Sequence, residues 1–242
     1  VRRLLRTALG GRRVRLVLQN EDDVALFTGC GVAAPGNIRL IPGSGVDCAR
    51  FAPDTDEHPG PFTIVLAARM LWDKGIHEFI EAARMLRGQG RDIRFVLAGT
   101  SDPGNPATIP EQVLMDWQAS GLVEWLGHVD DMPKLFAQAD VVVLPSYREG
   151  LPKSLIEAAA CECALITTDV PGCRSVVTDG VDGLLVPVRN AVELAKAIAS
   201  LQDDPVLAQR LGEAARAKAL VEYDERIIVT RTIAIYEELA AE

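Results

Sequence analysis

Long hydrophobic runs are missing from this sequence. No stretch approaches the roughly 18–20 apolar residues that a membrane-spanning helix requires, although 48% of the 242 residues are hydrophobic and the mean hydropathy is +0.13. A basic surplus is missing as well. The 25 Lys and Arg against 34 Asp and Glu leave a net charge of −9, which argues against the basic face that a nucleic-acid partner demands. Histidine is scarce: His58, His77 and His128 are scattered and offer no metal-ligand spacing. The five cysteines lack the spacing of a disulfide framework. Cys161-Glu162-Cys163 is one pair without a second, so small buried thiols in a reducing cytoplasm are expected. No Asp-x-Asp ligand set closes a strand, and Asp130-Asp131 is a poor substitute. The opening residues lack the uninterrupted apolar core of a signal peptide. They begin with valine inside a helical pattern, as expected of a piece of a longer protein.

What is present is long enough for one large or two small domains. Charge is uneven, with Arg2, Arg3, Arg6, Arg12, Arg13 and Arg15 and no acid in the first fifteen residues. Such a run is either a solvated helix face or an attachment to an anionic membrane surface or to an acidic remainder of the protein. Beyond it, strand and helix patterns alternate. Runs at residues 14–18, 38–41, 63–67, 93–98, 123–126, 141–144, 165–168 and 184–186 are continuously apolar more than alternating, as for parallel strands covered on both faces. Helical spacing is clearest over residues 76–87, where Ile76, Phe79, Ile80, Ala83 and Leu86 share a face and Gly88 closes the helix. Residues 111–120, 132–138 and 152–161 follow. After residue 190 the strands stop, and 192–201, 205–220 and 224–239 read as three helices. The pattern is α/β: one Rossmann-like, doubly wound parallel sheet with a helical C-terminus. We divide it into a first helix–strand unit at 1–37, an α/β core at 38–190 and C-terminal helices at 191–242 of a single domain.

The stretch Ser146-Tyr147-Arg148-Glu149-Gly150-Leu151-Pro152-Lys153-Ser154-Leu155-Ile156-Glu157 follows the apolar strand at 141–144. It places two carboxylates eight positions apart, around a glycine, a proline and a serine that open a helix. Turns of this kind at the carboxyl end of parallel strands bind phosphorylated ligands, and ionised carboxylates accept hydrogen bonds from sugar hydroxyls. Pro152 suits a first helical turn. Ser154 with Glu157 also fits a capping box, which needs no ligand, and Glu149 also fits a solvated loop. After the strand at 63–67, Arg69 and Lys74 bracket a short loop running into a helix. They are either a diphosphate clamp or ordinary surface charges partly neutralised by Asp73. Gly127-His128-Val129-Asp130-Asp131 and Gly99-Thr100-Ser101-Asp102 end further strands, with Val129 placed to stack on a base. Loops after several parallel strands converge on one sheet edge, so these signals point to one crevice.

The ordered series "AARMLWDKG", "WLGHVDD", "LPSYREGLPKSLIEAAA" and "DVPGCRSVVTDGVDGLLVP" resembles the C-terminal, donor-binding domain of family 4 glycosyltransferases over residues 38–236. The resemblance implies half of a GT-B architecture and transfer of a sugar from a nucleotide donor with retention of configuration. It makes Arg69 and Lys74 the diphosphate-binding pair and Glu149 the catalytic glutamate at the donor hexose. Glu157 would bond the ribose hydroxyls, Gly150, Leu151 and Pro152 would line the sugar and phosphate side, and Val129 the base. The wording is most similar to bacterial capsule and O-antigen enzymes, which implies a UDP-N-acetylhexosamine donor, no metal or other cofactor, and a glycan or lipid-linked acceptor. That acceptor would bind an N-terminal domain of roughly 150–200 residues not contained in this chain, which alone would not transfer sugar. A cytoplasmic protein, placed at the inner face of the membrane, is the implied location. One departure is Cys161-Glu162-Cys163-Ala164-Leu165, where the family usually has glycine before its next strand. A nucleotide-sugar epimerase of the same fold, or a flavodoxin-like binding domain without catalysis, are the alternatives.

Overall fold

The computed structural model describes residues 2–11, 13–54 and 60–241, so Arg12 and His58 lie outside the described residues. Six parallel strands form the main sheet: β3 (Phe62–Ala67), β4 (Ile93–Ala98), β5 (Glu124–Trp125), β6 (Val141–Leu144), β7 (Ala164–Thr168) and β8 (Leu184–Val186), after β1 (Leu16–Leu18) and β2 (Ile38–Leu40). Their order is β5-β4-β3-β6-β7-β8. The chain therefore builds outward from β3 on one side, then returns to lay β6 on the other flank of β3, the arrangement of a dinucleotide fold. The doubly wound α/β reading holds.

Burial on both faces follows from the period of two along each strand. Ile64 and Leu66 of β3 and Val141 and Val143 of β6 join one apolar cluster with Phe79, Ile80 and Leu86 of α3 (Ile76–Gly88) and Leu194, Ile198 and Leu201 of α8 (Ala191–Asp203). Val65, Ala67, Val142 and Leu144 join the opposite cluster with Leu155 and Ile156 of α6 (Lys153–Ala160) and Ala215 of α9 (Pro205–Lys218). The five expected apolar positions of α3 are all buried. Gly88, expected to end that helix, lies inside it. The reversal comes two residues later at Gly90, with φ +75, where the Arg91 amide bonds back to the Leu86 carbonyl.

The remaining helices are α1 (Arg2–Leu9), α2 (Glu21–Gly29), α4 (Glu111–Ala119), α5 (Met132–Ala137), α7 (Cys173–Val176) and α10 (Glu225–Ala241). Residue 38 opens a strand that pairs with β1 and not with the main sheet, so β1, α2 and β2 make a separate parallel βαβ unit. Arg2 and Arg6 of α1 donate to the Cys30 and Gly31 carbonyls at the end of α2, where cations suit the orphan acceptors. Arg15 and Arg39 both reach Glu238 of α10. Three of the N-terminal arginines thus have partners inside the chain. Between α9 and α10, a π-helical stretch, Ala219–Tyr223, takes up the expected last residues of the preceding helix. Its exit is fixed by main-chain bonds from the Val46 amide to Tyr223 and from the Glu225 amide to Val46. No helix among the described residues is long and apolar enough to cross a membrane.

Cys48, Cys161, Cys163 and Cys173 are buried, and Cys30 is half-buried. Burial pushes the Cys161 thiol up to about 12 and Cys173 to about 11, and raises Cys48 and Cys163. The thiolate is the reacting species. A thiol reagent at pH 7 should therefore label Cys30 in the native chain and the other four only in denaturant. Rapid native labelling of a second cysteine would contradict this packing.

Candidate functional site

The reversal of strand order sets the site. Loops leaving β3 and β6 emerge side by side, one toward α3 and the other toward α6. They are held together by main chain: the Tyr147 amide and the Ser146 hydroxyl both donate to the Asp73 carbonyl, at 2.9 and 3.1 Å. Gly75 makes the approach possible. It has φ +71, and a Cβ there would stand 2.1 Å from the Pro145 carbonyl oxygen. The neighbouring loops are tied in sequence, Met70 amide to Thr100 carbonyl and Gly99 amide to Gly127 carbonyl. The four strand ends expected to converge do so.

Between the β3 and β6 loops lies a cavity of about 230 Å³ lined by Arg69, Lys74, Glu149, Leu151, Pro152 and Ser154, among others. Lys74 and Glu149 are mostly buried and meet at 2.5 Å. Arg69 is exposed and paired with Asp102 at 2.8 Å. Gly150 stands between two lining residues. Glu157 is one turn further along α6, paired with Lys153 at 3.6 Å, and burial raises its carboxyl above the ordinary carboxylate value against the opposing charges of Lys153 and Arg50. Val129 packs on the apolar cluster beneath α5 and α6 and is not among the lining residues.

The expected capping box does not form. Pro152 is the N-cap, with φ −75 and ψ 104, one position before the first helical turn where it was expected, and no side chain caps the helix. Ser154 therefore lies inside the first turn, too late to cap it. Among the described residues the main-chain N–H groups of Leu151, Lys153 and Ser154 have no acceptor, and all three residues line the cavity. Uncapped donors at a helix N-terminus form a ready anion site. Lys74 adds donors, since its ammonium carries three N–H groups and its one described side-chain bond is to Glu149. The cavity can thus take an anion at the α6 end and hydroxyl groups at the Glu149 end.

Two features escape sequence reasoning. Tyr147 donates its hydroxyl to both oxygens of buried Glu78, at 2.9 Å each, with Arg189 over its ring at 4.5 Å. This brace pushes the phenol up to about 12, through burial first and then Glu78. Nothing in the spacing of residues 78, 147 and 189 announces it. The second is Asn20, whose Nδ2 donates to the Gly150 carbonyl at 2.7 Å. Neither Asn20 nor the helix it caps is singled out by the sequence.

Two outcomes follow from this geometry. Gly75→Ala should destabilise the chain by more than about 2 kcal/mol in denaturant unfolding, because the added Cβ would meet backbone atoms of Pro145 at a position of positive φ. Glu157 holds its proton more tightly folded than unfolded. Its contribution to stability is present below the unfolded carboxylate pKa and is lost as pH rises through the higher folded value. Glu157→Gln should then melt above the wild type at pH 7, the two converging as pH falls through about 4. A variant melting below wild type at pH 7 would reverse the assigned sign.

Comparison with known proteins identifies the family. The family model for glycosyl transferases group 1 matches residues 50–218. A Campylobacter jejuni N,N'-diacetylbacillosaminyl-diphospho-undecaprenol alpha-1,3-N-acetylgalactosaminyltransferase is 36% identical over 240 residues, 93% of this chain. The chain spans 60% of that relative's length. Among solved structures, sucrose-phosphate synthase from Thermosynechococcus elongatus superposes with a TM-score of 0.85 at 26% identity, covering 99% of this chain and 61% of that one. Anabaena Alr3699/HepE in complex with UDP gives 0.82 at 22% identity, covering 100% of this chain and 68% of that one, and shares the fold. The chain belongs to the glycosyl transferases group 1 family.

Proposed function

We propose that this chain is the donor-binding part of a retaining glycosyltransferase and that its cavity between β3 and β6 holds a nucleoside-diphosphate sugar. The observation that carries the reading is the Lys74–Glu149 pair facing the uncapped N-terminus of α6 in one cavity. The diphosphate lies against the amides of Lys153 and Ser154 and takes the remaining donors of Lys74. Arg69, paired only at the surface with Asp102, turns to the diphosphate at little cost, because such exposed pairs contribute about 0–1 kcal/mol. These cations and the helix end offset the charge that builds on the departing diphosphate, so the reading assigns no step to a metal ion. Glu149, held in place by Lys74, accepts from hydroxyls of the hexose and stabilises positive charge at the sugar carbon as the bond to phosphate lengthens. Glu157 takes the ribose and Val129 borders the base.

The donor in this reading is a UDP-N-acetylhexosamine and the acceptor a lipid-linked glycan of a surface polysaccharide. The relative whose name states N-acetylgalactosaminyl transfer to an undecaprenol-linked sugar supports the N-acetylhexosamine and the lipid-linked acceptor. The acceptor site lies in a further domain of the full-length protein, which works in the cytoplasm against the inner face of the membrane.

Calorimetry with UDP, GDP and ADP tests the site. UDP should bind, and Lys74→Ala should weaken it by about ten- to a hundredfold, the worth of a hydrogen bond to a charged group. No heat with any of the three nucleotides would overturn the reading. In the full-length protein, the same substitution with turnover unchanged at both limiting and saturating donor would remove Lys74 from the clamp. Product analysis of labelled UDP-sugar with and without acceptor separates transfer from epimerisation.

A further inference from the structure

Asn20 stands at the N-cap of α2, 1% exposed, with its whole side chain engaged. Its Oδ1 accepts from the Asp23 amide at 2.8 Å, and its Nδ2 donates to Asp23 Oδ2 at 2.9 Å and to the Gly150 carbonyl at 2.7 Å. The first bond closes the helix, a task that serine or aspartate performs as well. The last does nothing for α2. It crosses from the βαβ unit to the loop that carries Glu149, and asparagine carries its acceptor for the helix and its donors on separate atoms, where the shorter serine hydroxyl must serve both from one oxygen.

Both residues of the Gly150–Leu151 peptide have close neighbours. A Cβ on Gly172 would lie 2.6 Å from the Gly150 oxygen, and a Cβ on Gly43 would lie 2.8 Å from Leu151 Cδ2. The peptide between Gly150 and Leu151 is trans, and a planar trans peptide points its C=O and N–H in opposite directions. With the carbonyl turned to Asn20, the Leu151 N–H faces away from α2. It has no acceptor among the described residues, and Leu151 lines the cavity.

We infer that Asn20 is a positioning residue for the donor site: by holding the Gly150 carbonyl it turns the Leu151 amide toward the diphosphate, beside the amides of Lys153 and Ser154. The inference rests on the donor-site reading given above. It makes the βαβ unit, which shares no strand with the main sheet, part of the binding site.

The test compares Asn20→Ser, Asn20→Ala and Asp23→Ala with the unaltered 242-residue chain. Melting temperature, affinity for UDP, GDP and ADP, and the NMR signal of the Leu151 amide are measured for each. Serine preserves the cap and alanine removes it, so Asn20→Ala should melt lower than Asn20→Ser. Both should weaken the preferred nucleoside diphosphate alike, by about tenfold. Asp23→Ala, which disturbs the same helix start without touching Gly150, should bind as the unaltered chain does. The Leu151 amide signal should move on nucleotide addition in the unaltered chain and stay still in Asn20→Ser. Wild-type affinity in Asn20→Ser, or affinity that merely tracks melting temperature across the three variants, overturns the inference and leaves the donor site standing. No binding by the unaltered chain overturns the donor site itself, and this inference with it.

Discussion

Where a parallel sheet reverses its order, two neighbouring strands send their outgoing connections to opposite faces, and no helix covers the strand ends between them. In this chain the two strands are β3 and β6, paired at Ile64 with Val141 and Val65 with Val142. The helices that follow obey the geometry: α3 packs into one apolar cluster and α6 into the other. The crevice is thus a product of strand order, and the side chains only furnish it. What they furnish depends on how closely the loops approach, which Gly75 allows by leaving room for the Pro145 carbonyl. Any larger residue there would push apart Lys74 and Glu149, which sit on either side.

The charges in the crevice are arranged so that an anion can be met without leaving a protein group bare. Lys74 and Glu149 neutralise one another while mostly buried, and removing either one leaves the other desolvated and unpaired. An arriving anion finds donors still unused on Lys74 and on the first turn of α6, so it need not break the pair to bind. Glu157 is different. Burial raises its carboxyl, and its partner Lys153 is at 3.6 Å and largely exposed. A buried acceptor held this loosely gains from a hydroxyl donor, which is what a sugar offers.

How legible this was varied with the kind of physics involved. Apolar runs marked each of the eight described strands, most cleanly β3, β6 and β7, because a strand covered on both faces has no polar side to confuse the pattern. Boundaries slipped where backbone conformation decided them, as at Gly88, which stayed helical because Gly90 took the left-handed turn. At the site, Arg69, Lys74, Glu149, Leu151 and Pro152 were readable as residues at strand ends, and they share the cavity. The Ser154–Glu157 capping box was a plausible spacing defeated by two residues of register, since the N-cap is Pro152 and the helix starts at Lys153. That error concealed a feature of the site: an unfilled cap leaves free amides. Asn20 and the Tyr147–Glu78 brace were out of reach because contacts across 130 and 69 positions leave no local periodicity.

The βαβ unit gives the 150–151 loop a dependence that the main sheet alone would not. Its own sheet has two strands, and a two-stranded sheet is marginal by itself, so its placement rests on side-chain contacts at its borders. Glu238 of α10 ties Arg15 and Arg39 at one border, and Asn20 and Gly43 meet the 150–151 loop at another. A ligand that uses the Leu151 amide binds more tightly when the unit is docked and the peptide turned. Linkage makes that preference reciprocal: the same ligand must favour docking by the same factor. Whatever shifts β1, α2 or β2 would therefore act on the affinity of the crevice, through one side-chain amide and without touching Lys74 or Glu149.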